Sequence, residues 1–260
     1  MRKVLFISNG NAGQTTGVLF AYLSEKTSSI ANAELHFHNM RTGILPKIKD
    51  RLRSFPRLIR QVWSSDVLVL HTAAAFNLPE IMLAKMLGRR VLVICWDIYP
   101  ASSVFLAGRE TIAHRVFGFF ERFAMRLASR VLVPGGDYLH HPDLRSLNNM
   151  DLFPIWPAWE TARPARAVGA DATSPVKVVF CGQVNRIRDL PGAIDQLARC
   201  FDGVVELHVF SGDPIDEATH EKARARGVKI HHHGFVSGDV LLDRLAEMDC
   251  GLVSIEPRFP

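Results

Sequence analysis

The sequence has few of the features that mark secreted or membrane-spanning proteins. No apolar run approaches the roughly 18 residues that a membrane span requires. The N-terminus passes from Met1-Arg2-Lys3 directly into Val4-Leu5-Phe6-Ile7, which is too short an apolar run for a signal peptide. The four cysteines lie far apart, without a Cys-x-x-Cys pair, at Cys95, Cys181, Cys200 and Cys250. We therefore expect a cytoplasmic protein with reduced, buried thiols.

The formal net charge of +5 is concentrated in one short region. Six basic residues and a single acid fall between Lys47 and Arg60. Apolar residues recur there at steps of three or four, which predicts an amphipathic helix over residues 44–63. Such a helix suits an anionic membrane surface, on the inner face of the membrane, but an ordinary surface helix packed on a sheet would give the same pattern. The basic residues are not interleaved with aromatic ones, so nucleic acid is not expected as a partner.

The chain alternates short apolar runs with longer helical patterns, which predicts an α/β fold with doubly wound parallel sheets. In the first half the predicted strands begin at Val4, Glu34, Val67, Val91 and Arg130. In the second half they are Val176–Cys181, Val204–Phe210, Val228–His232 and Cys250–Ile255, with a helix from Ser237 to Met248 before the last.

The composition divides the chain into two Rossmann-like domains. Residues 157–175 are rich in Ala, Pro, Gly, Thr and Arg without hydrophobic periodicity, which is typical of a linker. We predict an N-terminal domain over residues 1–156 and a C-terminal domain over residues 176–260. The second domain is small for its class, which suggests that it is incomplete or completed by a partner.

Several loops follow the carboxyl ends of predicted strands, where open α/β sheets bind ligands. The first loop places Gly10, Gly13 and Gly17 before a helix, a setting that can bind a diphosphate or simply make a tight turn. Its spacing is not Gly-x-Gly-x-x-Gly, so a nicotinamide cofactor is not favoured. No cofactor is predicted.

Three loops of the second half should converge on one crevice. After the first strand, Gly182-Gln183 is followed by Arg186 and Arg188, whose guanidinium groups can hold phosphate oxygens or merely form a solvated basic loop. The turns Gly212-Asp213-Pro214 and Gly234-Phe235-Val236 end the next two strands.

Four histidines and one acid also lie near strand ends. His231-His232-His233 cannot all bind one ion from an extended strand, because alternate side chains point to opposite faces, so no metal site is predicted. His71 and Asp97 could meet a substrate or cap a helix.

In order and spacing these residues resemble the retaining glycosyltransferases of family 4, which have the GT-B fold and include bacterial enzymes of surface-polysaccharide assembly. Thr16-Gly17 opens the first helix where the family often has Gly-Gly. Val91 to Pro100 corresponds to a strand ending in His-Asp, with Trp96 at the histidine position and Asp97 at the aspartate. Glu121 to Val133 corresponds to the family's glutamate-containing helix and the strand after it.

The resemblance also implies the residues of a donor site. Gly182 to Arg188 matches the family's phosphate loop, with Gln183 at its arginine position and Arg188 at its lysine position. Gly212 and Asp213 match a strand-end turn, Phe235 and Val236 the loop near the nucleotide base, and Glu256 one member of a paired-glutamate motif. Asp97 and Arg188 would be catalytic, and Gly13, Thr16 and Gly17 would contact substrate.

The implied activity is transfer of a hexosyl unit from a UDP- or GDP-linked sugar to a lipid-linked or glycan acceptor, with retention at the anomeric carbon and without a metal. The sequence contains no Asp-x-Asp pair that would argue otherwise. Two alternatives stay open. The chain could be a truncated, inactive product or a subunit that needs a partner, and it could be a sugar-nucleotide epimerase, which can share the two-domain fold.

Overall fold

The computed structural model describes most of the chain as two compact units. The described residues are 1–9, 15–37, 44–99, 101–154, 175–201, 204–236 and 238–257, and the side chains of 15–18, 44–52 and 238–239 are not described. One unit spans Met1–Ala158 and the other Trp159–Pro260. The predicted linker at 157–175 lies almost wholly outside the described residues.

Within the described part of the first unit, six parallel strands form one sheet in the order β2-β1-β3-β4-β5-β6. The strands are β1 (Lys3–Ser8), β2 (Asn32–Phe37), β3 (Val67–His71), β4 (Arg90–Ile94), β5 (Arg130–Val133) and β6 (Met150–Leu152). The helices are α1 (Thr15–Ser28), α2 (Ile44–Ser64), α3 (Leu78–Met86), α4 (Ala101–Ala107), α5 (Ile112–Leu127) and α6 (Asp137–His140), with a short 3-10 helix at Ala74–Asn77.

Both faces of this first sheet are buried. Alternate residues of β1 enter two different cores, Leu5 and Ile7 on one face and Val4 and Phe6 on the other. A strand that is covered on both faces has no solvent-exposed face that would take polar residues. This explains the uninterrupted apolar run at the start of the sequence.

The second unit has four described parallel strands in the order β10-β7-β8-β9. The strands are β7 (Val176–Cys181), β8 (Val205–Phe210), β9 (Val228–His232) and β10 (Cys250–Gly251), and the helices are α7 (Leu190–Cys200), α8 (Glu217–Ala225) and α9 (Gly238–Leu245). Val178, Leu207 and Val209 pack with Leu190 and Ile194 of α7 in the core. The opposite face of β8 carries Glu206 and His208 beside the buried Val179 and Phe210, so polar and apolar side chains are mixed on that face.

The structure corrects several sequence-based expectations. The predicted last strand, Cys250–Ile255, pairs only at Cys250 and Gly251, and the preceding helix ends at Leu245 rather than Met248. All four cysteines are free, but only Cys95 is buried. Cys181 and Cys250 lie in strands next to exposed loops, where an apolar run does not guarantee burial. No helix among the described residues is both long and apolar enough to cross a membrane.

Candidate functional site

The loop after β7, residues Gly182–Asp189, lies where the strand order of the second sheet reverses. The chain runs from β7 to β8 and β9 on one side, whereas β10 pairs on the other side of β7. In open α/β sheets such a reversal leaves a crevice at the carboxyl ends of the strands, and ligands bind there. The loop that is predicted to contact phosphate therefore borders this crevice.

Asp213 connects the loops after β7 and β8. One of its carboxylate oxygens, Oδ2, accepts a hydrogen bond from the backbone N–H of Val184 at 3.1 Å, and its own N–H donates to Ser211 Oγ at 3.1 Å. A Cβ placed on Gly212 would lie 3.8 Å from the Cβ of Phe235, in the loop after β9. The three predicted loops thus meet, as their strand-end positions indicated.

Half of the backbone N–H groups of the β7–α7 loop, Gly182–Asp189, donate to partners within the unit. They belong to Gly182, Val184, Ile187 and Arg188. In contrast, the side chains of Gln183 and Arg188 are exposed. An anion entering this crevice would therefore meet exposed side chains, and fewer turn N–H groups than the sequence indicated.

Asp189 fixes the start of α7 in a conformation that few residues adopt. Its φ of 38° lies in the left-handed region, and its side chain caps the helix by accepting a hydrogen bond from the N–H of Gly192 at 3.1 Å. Because this carboxylate occupies the N-terminus of α7, the helix dipole contributes less to anion binding than sequence analysis assumed.

Glu256 lies beside the same loop. Its backbone N–H donates to the carbonyl of Ile187 at 2.7 Å, and the hydroxyl of Ser254 donates to the carbonyl of Asp189 at 3.3 Å. The segment after β10 therefore borders the crevice, where the resemblance places a donor-binding glutamate.

In the first unit, His71 is a buried structural residue. Its Nε2 accepts a hydrogen bond from the backbone N–H of Asn9 at 3.0 Å, and its Nδ1 donates to the carbonyl of Thr72 at 2.5 Å. Burial lowers the pKa of His71, against the opposing effects of the Thr72 hydrogen bond and the charge of Asp97. Both ring nitrogens are engaged in the neutral form, so His71 neither caps a helix nor offers a free base.

Asp97 lies in the loop after β4 with its side chain exposed. The hydroxyl oxygen of Thr72 accepts hydrogen bonds from the backbone N–H groups of Trp96 and Asp97, each at 3.3 Å. The hydroxyl of Tyr138 donates to the carbonyl of Trp96 at 2.8 Å. The loops after β3 and β4 and helix α6 thus hold the backbone of Asp97 in place.

Glu121, on α5, is a buried acid that binds the 3-10 helix after β3. In the sequence it stands out only as part of the family pattern. Its two carboxylate oxygens accept hydrogen bonds from the backbone N–H groups of Ala74 and Ala75, at 2.9 and 2.6 Å. Burial raises the pKa of Glu121 to about 7, although these two hydrogen bonds act in the opposite direction. The sequence signal for Glu121 is an acidic residue that lies among the buried positions of an amphipathic helix.

Comparison with solved structures identifies the architecture. The lipopolysaccharide outer core galactosyltransferase WaaB matches with a TM-score of 0.62, covering 97% of this chain and 74% of its own, at 12% identity. Sucrose-phosphate synthase from Thermosynechococcus elongatus matches with a TM-score of 0.58 at 13% identity, covering 97% and 75%. The chain has the GT-B fold.

Other comparisons add little to this assignment. A Listeria monocytogenes protein assigned as a UDP-N-acetylglucosamine 2-epimerase shares the fold with a TM-score of 0.50 at 11% identity, covering 96% of this chain and 73% of its own. No family model and no curated protein matches the sequence significantly.

The other predicted site residues that the structure describes lie in the first turn of α1 and in the loop after β9. Thr16 and Gly17 belong to the first turn of α1, as predicted, without described side chains. Gly13 falls outside the described residues. Val236 follows Phe235 in the loop after β9, and Phe235 is 80% exposed. The contacts of these residues with substrate stay predictions.

Proposed function

We propose that this GT-B chain is a glycosyltransferase that transfers a hexosyl unit from a UDP- or GDP-linked sugar to a lipid-linked or glycan acceptor. The observation that carries the proposal is the joined set of loops at the strand reversal of the second unit. Asp213 ties two of these loops together, and the exposed guanidinium group of Arg188 stands at their edge. An arginine can hold phosphate oxygens in a bidentate way, which suits a nucleoside diphosphate.

In this mechanism Arg188, helped by Gln183, stabilises the leaving diphosphate as the bond to the sugar breaks. Negative charge on that group increases in the transition state, so a fixed cation there lowers the barrier. The reaction proceeds with retention and uses no metal at the reacting centre. The acceptor binds the first unit, where Asp97 faces it from the end of β4.

The first experiment is calorimetric titration of the purified chain with UDP and with GDP. We expect micromolar binding of one of them, and a loss of about tenfold or more in Arg188→Ala, since a charge-assisted hydrogen bond contributes about 1.5–3 kcal/mol. Arg199→Ala is the matched control, because Arg199 is exposed at the opposite end of α7. Binding of neither nucleotide, or equal loss in both variants, would contradict the proposal.

The role of Asp97 is tested by Asp97→Asn, which keeps the shape of the side chain. We expect transfer to the acceptor to slow by about 100-fold, the lower end of what general acid–base groups contribute, with unchanged nucleotide affinity. Unchanged turnover would remove Asp97 from the mechanism.

A sugar-nucleotide epimerase is the second candidate, because a protein assigned to that activity shares the fold. Incubation of the sugar nucleotide without an acceptor separates the two activities. An epimerase would convert the donor into an isomer, whereas a glycosyltransferase would leave it unchanged apart from slow hydrolysis.

For the membrane, we propose a purely electrostatic attachment of a cytoplasmic enzyme through helix α2. Leu58 and Val62 of its apolar stripe are buried in the core of the first unit, whereas Arg53, Arg57 and Arg60 are exposed. The described part of the stripe therefore packs on the sheet, as the alternative interpretation of the sequence held. The exposed arginines would bind anionic lipid headgroups by electrostatic attraction.

A further inference from the structure

The face of the second sheet that carries Glu206 and His208 brings together three potential metal ligands. Glu206 and His208 lie two residues apart on β8, and His231 on β9 is the register partner of His208. Side chains two residues apart share a face, and neighbouring strands lie about 4.8 Å apart, so these three side chains project into the same volume. The run of consecutive histidines at His231–His233 does not indicate this combination, because two of the ligands lie on a different strand.

The ligand atoms converge closely. Glu206 Oε1 lies 3.7 Å from His231 Nε2, and Glu206 Oε2 lies 3.8 Å from His208 Nε2. The three ligand atoms all lie within 4.8 Å of one another. Ligands at roughly 2.1 Å around a tetrahedral ion are about 3.4 Å apart, so small side-chain rotations close the site.

Two ring nitrogens at the centre of this cluster lack partners. Among the described residues, neither His208 Nε2 nor His231 Nε2 has a hydrogen-bond partner, although both atoms are buried. A buried polar atom is normally satisfied, and one that is not calls for an explanation such as an ion. Here two such atoms face one carboxylate.

His233 orients the first of these imidazoles. His208 Nδ1 and His233 Nε2 are 3.0 Å apart, and their rings are stacked. When His208 Nδ1–H donates in this hydrogen bond, Nε2 carries the lone pair that a metal requires. In metal-binding histidines, a hydrogen bond from the ring nitrogen that does not bind the metal fixes the tautomer and the orientation of the ring. Burial, followed by the charges of His231 and His233, also lowers the pKa of His208, which favours the neutral ring.

Two lysines oppose a cation at this position. Lys229 Nζ lies 3.4 Å from Glu206 Oε1, and Lys177 is the register partner of Glu206 on β7. The side chain of Lys229 is 62% exposed and can turn into solvent, which would release the carboxylate oxygen. The lysines should therefore weaken binding without blocking it.

We propose that Glu206, His208 and His231 bind one divalent transition-metal ion of the zinc type, with a fourth position open. Two imidazoles and a single carboxylate favour zinc, cobalt, nickel or copper over magnesium or calcium, which prefer oxygen ligands. The ion would clamp β8 to β9 beneath the loops of the candidate donor crevice. This bridging of two strands does not depend on the proposed glycosyl transfer.

The test is titration of chelator-treated full-length chain with Zn²⁺, together with the visible absorption of bound Co²⁺. We expect one ion per chain, no response to Mg²⁺, and a higher melting temperature with Zn²⁺. Glu206→Gln and His231→Asn should each weaken binding at least tenfold and remove the thermal shift. His233→Phe, which keeps the stacked ring, should weaken binding by about 10–100-fold, as loss of an orienting partner does.

His232→Gln and His220→Gln are the matched controls. His232 is flanked by both His231 and His233 but points to the other side, where its Nε2 contacts the carbonyl of Ser211 at 3.0 Å. His220 lies on α8. Both variants should bind zinc as the wild type does. Equal weakening in controls and ligand variants, or zinc binding that survives Glu206→Gln and His231→Asn, would overturn the proposal, and the circular dichroism spectrum of each metal-free variant verifies its folding.

Discussion

The carboxylate of Asp213 accepts a hydrogen bond from the backbone N–H of Val184, and this contact joins the loops after β7 and β8. Loss of the acceptor in Asp213→Ala should release the loop that carries Arg188. We expect the affinity for the bound nucleotide to fall by about 5–10-fold, in line with the roughly 1 kcal/mol of a net hydrogen bond. Asp213→Asn keeps an acceptor oxygen and should bind within about twofold of wild type. Calorimetric titration measures both, and equal effects in the two variants would show that the contact does not organise the site.

Protonation of Glu121 should make stability depend on pH. Its pKa is raised to about 7 from an ordinary value of 4.5, so the folded state binds this proton more tightly than the unfolded state. The contribution of Glu121 to the stability of the folded state is fully present below about pH 4.5 and is lost as the pH rises through about 7. The loss amounts to about 3 kcal/mol. We expect the free energy of unfolding of the wild type, relative to Glu121→Gln, to fall across this window. The measurement is urea unfolding across this pH range. If the free energies of unfolding of the wild type and Glu121→Gln change with pH in parallel, the pKa of Glu121 is not raised.

The cap of α7 should be sensitive to two single substitutions. In Gly192→Ala the added Cβ would overlap the carboxylate of Asp189, and Asp189→Ala removes the cap while leaving a left-handed backbone without its polar side chain. We expect each to reduce the free energy of unfolding by about 1–2 kcal/mol. Asp189→Asn keeps an acceptor and tolerates the left-handed region, so it should stay within about 0.5 kcal/mol of wild type. Urea unfolding measures all three, and a stable Asp189→Ala would contradict this account.

Binding of α2 to membranes should depend on charge alone. Replacing Arg53, Arg57 and Arg60 with glutamine should lower partitioning onto anionic vesicles by about 100-fold, because each basic residue contributes about 1 kcal/mol near such a surface. Added salt should weaken wild-type binding in the same way.

A control with the same change in net charge replaces Arg90, Arg145 and Arg199, which are exposed elsewhere. Vesicle sedimentation compares the two triple variants. Equal binding of the wild type to neutral vesicles, or equal loss in both variants, would exclude the proposed attachment through α2.

Long runs of apolar and β-branched residues made the strands predictable. Val176–Cys181 and Val228–His232 have the bounds that the sequence indicated, and β3 begins at the predicted Val67. The strand β6, Met150–Leu152, was missed because three residues are too few to show a period. The pairing of β10 ends after two residues because pairing depends on the neighbouring strand, which the sequence of Cys250–Ile255 does not specify.

The site was predictable to the level of loops. Parallel topology alone brings strand ends together, so the convergence of the segments around Gly182, Gly212 and Phe235 followed from their positions. The contact between Asp213 and Val184 depends on side-chain rotamers and tertiary packing. Glu121 likewise acts on a loop 46 and 47 positions away in sequence, which no local pattern indicates.

The position of β10 at the edge of the second sheet has a consequence for folding. Lys177 on β7 donates to Asp249 across 72 positions, and Ser254 reaches Asp189 across 65. Contacts so distant along the chain close late, because the entropy of the intervening loop opposes them until nearer contacts have formed. We therefore expect β7, β8 and β9 to assemble first and the wall formed by residues 252–256 to close last. An early folding intermediate would have most of the sheet but an open candidate crevice.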